Sequence, residues 1–73
     1  MNAQVQFGHD RYHQQSAMID WCQTHLGSGG WHHGGDITIW PVEDSWKVHS
    51  MFGSTFFYFK HDKDATYFMI HWT

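Results

Sequence analysis

The chain has 73 residues, enough for one small domain, and a chain this short buries only about 60% of the surface that its unfolded form exposes. Seven acidic residues against four basic ones give a formal charge of −3, too few cations for an electrostatic grip on phosphates and too mild an acidity for a nucleic-acid mimic. Six Phe, five Trp and three Tyr stand against a single leucine, so the core is expected to be aromatic, with some rings left outside.

"AQVQF" (3–7) alternates apolar and polar residues and predicts a short strand, which Gly8 breaks. Asp10 is the expected N-cap of a helix running to about Leu26, with Ala17, Met18, Trp21, Cys22 and Leu26 on its apolar face. Gly27 stands where a helix wants a residue with positive φ. The run "GSGGWHHGGD" (27–36) is then expected to be a helix cap and a connector, with Trp31 tucking its ring against the core.

"DITIWPV" (36–42) reads as an edge strand that ends at Pro41. "WKVHSMF" (46–52) and "TFFYFK" (55–60) read as a hairpin around Gly53-Ser54, with a type II′ turn that sets Val48 opposite Phe59. Trp46, Val48, Phe52, Phe57 and Phe59 then share one face, and Lys47, His49, Met51, Phe56, Tyr58 and Lys60 share the other. Asp62 is the expected N-cap of a last helix, whose inner positions are Ala65, Phe68, Met69 and Trp72. The order (β)-α-β-β-β-α predicts an α+β domain over 1–73: a small antiparallel three- to four-stranded meander with two helices on one face.

The chemistry-bearing residues form no catalytic pattern. A phosphate cradle needs a glycine loop leading from a strand into a helix N-terminus, whereas residues 27–36 leave a helix C-terminus. His9 and His13, and Cys22 and His25, lie at helical spacing, but zinc signatures need two matched pairs. Adjacent His32 and His33 would point oppositely in an extended segment. No metal site and no cofactor are therefore expected. Cys22 falls on the apolar helix face, which suits an inert buried thiol. The carboxylates fall at caps and turns, and there is no nucleophile elbow, so the chain is expected not to be an enzyme.

A lone cysteine fits a reducing compartment. No signal peptide is expected, because no charged run precedes an apolar stretch at the N-terminus. No apolar run approaches the roughly 18 residues of a membrane span. Eight histidines against a charge of −3 place neutrality, and the poorest solubility, near pH 6.

The ending "TFFYFKHDKDATYFMIHWT" carries the pattern F-x-F-K-x-x-x-D-A-x-x-F-x-x-x-W at Phe57, Phe59, Lys60, Asp64, Ala65, Phe68 and Trp72. With "DWCQTHLGSGGW" upstream, it resembles small uncharacterised proteins of tailed bacteriophages, especially marine T4-like phages, over about half of the chain. The resemblance implies a viral origin and a host-cytoplasm setting, and no particular activity. "FFYF" followed by D-x-x-A also resembles the RNP1 strand and next helix of RNA-recognition motifs, which stack bases on sheet aromatics. That motif has a further strand and a Gly-Phe-Gly core, which these residues do not supply.

The expected function is therefore that of a small phage accessory protein, a binding module for a host or viral protein. Its surface would be the second sheet face: Trp40, His49, Met51, Phe56 and Tyr58, a composition typical of interface cores. The same face could instead be covered by residues 27–36 or pair with itself in a homodimer. Weak single-stranded nucleic-acid binding on that face is the alternative. No membrane partner is expected.

Overall fold

The computed structural model describes residues 3–32, 39 and 43–72. It contains strand β1 (Ala3–Phe7), a 3-10 helix (His9–Gln14), helix α1 (Gln15–Leu26), strands β2 (Gly29–Trp31), β3 (Trp46–Met51) and β4 (Ser54–Phe59), and helix α2 (Asp62–Trp72). The α+β class and the order β-α-β-β-β-α are as expected. The strands form one sheet in the order β1-β4-β3-β2.

The sheet is mixed rather than an antiparallel meander. β1 and β3 both pair antiparallel with β4, but β2 pairs parallel with β3. The strand expected at 36–42 lies outside the described residues apart from Ile39. The strand between α1 and β3 is instead built from Gly29–Trp31, within the run read as cap and connector. Glycines have little intrinsic strand preference, so tertiary contacts make this strand. The Ser45 N–H donates to the Ser28 carbonyl at 2.9 Å, and the His32 N–H to the Val48 carbonyl at 2.8 Å. A parallel pair needs a connection of about a dozen residues or more, and residues 32–45 supply that length.

Asp10 does not cap α1. It lies inside the 3-10 helix, which starts after Gly8, and α1 follows directly with Gln14 at its N-cap position. The expected single helix over 10–26 is thus split. Gly27 has φ +90°, as the helix stop requires. α2 begins one residue earlier than a cap at Asp62 would give. The His61 carbonyl accepts the Ala65 N–H, so Asp62 and Asp64 fall in the first turn, at the positive end of the helix dipole.

The hairpin register differs from the expected one. Val48 pairs with Phe57 and Trp46 with Phe59. The expected register would have set Trp46 beyond Phe59, without an apolar partner. The turn is Phe52-Gly53, both with positive φ (+52° and +79°), the type I′ arrangement. The offset is two residues, so the face assignments survive. Phe52 is the exception, leaving the inner face for the turn.

One face of the sheet packs on both helices. Val5, Phe7, Met18, Trp21, Cys22, Trp46, Val48, Phe57, Phe59, Ala65 and Phe68 form the core. Phe68 lies at its centre, with ring centroids 4.8 Å from Phe57, 5.1 Å from Phe59, 5.7 Å from Trp21 and 5.8 Å from Phe7. Trp21 joins the helices, touching His25 on α1 and Tyr67 and His71 on α2. Arg11 closes one end, its guanidinium 5.4 Å over the Phe7 ring and donating to the Trp72 carbonyl at the end of α2. Met69, expected inside, is largely outward, and Trp31 is 44% exposed at the sheet edge rather than tucked into the core.

Candidate functional site

The helices occupy one face of the sheet, and alternation along the strands dictates what the other face presents. Gln4 and Gln6 come from β1, Phe56 and Tyr58 from β4, and Lys47, His49 and Met51 from β3. In β4 the alternation is complete. Thr55, Phe57 and Phe59 are buried, while Ser54, Phe56 and Tyr58 are half-buried. Thr55 keeps its hydroxyl satisfied by accepting from Gln15 Nε2 at 2.9 Å.

Four of the five expected surface residues come together here. Phe56 and Tyr58 stack with centroids 6.4 Å apart and planes 23° from parallel. His49 lies across from Phe56 and is half-buried, and Met51 is 43% exposed toward the hairpin tip. The fifth, Trp40, lies outside the described residues. The face is not open along its whole length. Lys47 is only 4% exposed, and its Nζ donates to the Ile39 carbonyl at 3.1 Å. The apolar stretch that stays accessible is therefore the Met51–Phe56–Tyr58 side.

Phe52 belongs with this stretch and was missed from the sequence. It sits at the hairpin tip beside Met51, and 98% of its surface is exposed. The signal was present: Phe-Gly at the centre of "MFGS" places the glycine where a type I′ turn needs positive φ, as well as where a type II′ turn could begin. A fully exposed phenylalanine in a left-handed conformation adds nothing to the core and carries a local backbone cost.

Cys22, the candidate thiol, belongs to the core. Cys22 is fully buried, and desolvation pushes its thiol up to about 12. Such a thiol is not a nucleophile near neutral pH. Among the described residues no three His, Cys, Asp or Glu side chains gather as a metal-binding group, and no helix is long and apolar enough to cross a membrane. His9, four residues before His13, stacks on Tyr12 at 6.0 Å, because the 3-10 helix places residues i and i+3 on one side.

Phe57, Phe59, Ala65 and Phe68, four residues of the C-terminal pattern, are buried in the core, so packing alone accounts for those positions. No protein-family model matches the chain, and no curated protein or solved structure is significantly similar to it.

Proposed function

We propose that the chain is a small non-catalytic accessory protein, of the tailed-phage kind that its ending resembles, which binds a host or viral protein through the outward face of its sheet. The supporting observation is the stacked Phe56–Tyr58 pair, half-exposed on the face away from both helices and continuous with Met51 and Phe52 at the tip. Aromatic and methionine side chains are enriched at the centres of protein interfaces, and Gln4 and Gln6 give this patch a polar border. The setting that goes with this reading is the cytoplasm of the infected host.

Sedimentation equilibrium from micromolar to millimolar concentration tests the reading. A monomer throughout leaves the patch available to a partner. A concentration-dependent dimer that protects Phe56 and Tyr58 would mean that the patch serves self-association, and would overturn the reading.

Single-stranded nucleic acid is the second reading, favoured by the same ring stack. Base stacking on an aromatic contributes about 1–3 kcal/mol per base. The cations that should accompany it are scarce, since Lys47 is buried against the Ile39 carbonyl. Titration with random single strands at low salt decides this, and the absence of binding retires it.

A further inference from the structure

The parallel pairing of β2 with β3 brings together two histidines that lie far apart in sequence. Trp31 pairs with Val48, and the His32 N–H extends the ladder to the Val48 carbonyl at 2.8 Å. The next cross-strand neighbours are His32 and His49, whose backbones in adjacent strands lie about 5 Å apart. Their rings meet with centroids 5.8 Å apart and planes at 81°. Both side chains are half-buried, and Phe56 flanks His49 on its other side.

We propose that His32 and His49 form a two-imidazole site for a borderline divalent transition ion of the Zn²⁺ type. Imidazole suits such ions, and two rings at paired positions on neighbouring strands can reach one ion from the same face of the sheet. Two imidazoles sharing a tetrahedral ion at about 2.0–2.1 Å place their ring centroids roughly 5 Å apart, so a small closure of the observed pair accommodates the ion. Two imidazoles fill half of a tetrahedral shell, and further donors complete it. Lys47, the cation on the same face of β3, has its ammonium on the Ile39 carbonyl. Cys22 lies in the core on the other side of the sheet and takes no part.

The test is a titration of the isolated chain with zinc chloride, followed by imidazole ¹H–¹⁵N NMR, and it does not depend on any protein partner. The His32 and His49 rings shift together along one saturable curve, while His9, His13, His25, His61 and His71 stay in place. His32→Ala and His49→Ala each weaken binding about tenfold or more, and His32→Gln and His49→Gln do the same if the alanine variants lose their dispersed spectra. Replacing His9 and His13 leaves the affinity unchanged. Shifts spread over all histidines, shifts confined to other histidines, aggregation that the His32 and His49 variants do not relieve, or no shift at all would overturn the proposal.

Discussion

Gly29 lies against Trp46 so closely that a Cβ on the glycine would come within 2.5 Å of the indole nitrogen and would also collide with the Trp46 carbonyl. Trp46 cannot yield, because it is fully buried and its Nε1 donates to the Gly27 carbonyl at 3.0 Å. Gly29→Ala should therefore push β2 away from β3 and destabilise the fold by about 1–3 kcal/mol, the usual cost of overpacking. Gly30, which has nothing within 4 Å of its added Cβ, is the control. Gly30→Ala should change stability far less, and urea unfolding of the two variants makes the comparison.

The hairpin tip should respond in the opposite direction. Phe52 holds φ +52° with 98% of its surface in water, so replacing it removes a conformational cost and no packing. Asn-Gly is the favoured type I′ pair, and Phe52→Asn should raise stability by about 0.5–1 kcal/mol. A rise of several degrees in melting temperature is the expected readout for a domain of this size. A fall would mean that Phe52 packs against something in the folded chain.

Alkaline unfolding should report Cys22. Its folded-state value is raised by burial to about 12, above the ordinary value of 9.0. The unfolded chain therefore loses the thiol proton first. The contribution of Cys22 is fully present below pH 9 and is lost as pH rises from there toward 12. Stability should fall by about 1.4 kcal/mol per pH unit through this window on account of this one group. Tyrosines and lysines titrate nearby, so the measurement is the difference in slope between the natural chain and Cys22→Ala, from urea unfolding between pH 8 and pH 10.5. Equal slopes would show that the thiol is not desolvated.

The inner and outer faces of β4 should separate sharply in stability. Phe57 is fully buried against Phe68, and Phe57→Ala should cost about 3–5 kcal/mol. That approaches the whole stability of a small domain, at roughly 0.05–0.15 kcal/mol per residue, and should leave the chain largely unfolded. Its neighbour Phe56 points to the other face, and Phe56→Ala should cost about 1 kcal/mol, mostly from the lost stack on Tyr58. Thermal melts of both variants give the contrast.

Much of this architecture was legible because it follows from periodicity. The 3.6-residue recurrence of Met18, Trp21 and Cys22 and the alternation from Thr55 to Phe59 each define one buried face, and the structure buries those residues. What was not legible depends on partners distant in sequence. β2 is made of Gly29, Gly30 and Trp31, and it exists because Trp46 and Val48 accept it alongside, which no local propensity announces. The hairpin register was set by keeping Trp46 opposite Phe59 and not by the turn residues alone, so Phe52 moved from the expected inner face to the tip. Phe56, Tyr58, His49 and Met51 were found on one face because a two-residue offset preserves alternation. The meeting of His32 with His49 requires the parallel pair, which nothing local in the sequence announces.

The Met51–Phe52–Phe56–Tyr58 surface is proposed to engage another protein. Site-specific photo-crosslinking tests it most directly, with the photoreactive residue placed at position 56 or 58 and, as the control, at Tyr67 on the helix side of the molecule. We expect positions 56 and 58 to join the chain to one discrete protein in the cells that produce it, and position 67 to give no such product. We also expect Phe52→Ser combined with Tyr58→Ala to abolish it while the variant still melts cooperatively. Equal crosslinking from all three positions, or a product consisting only of a second copy of this chain, would contradict the account.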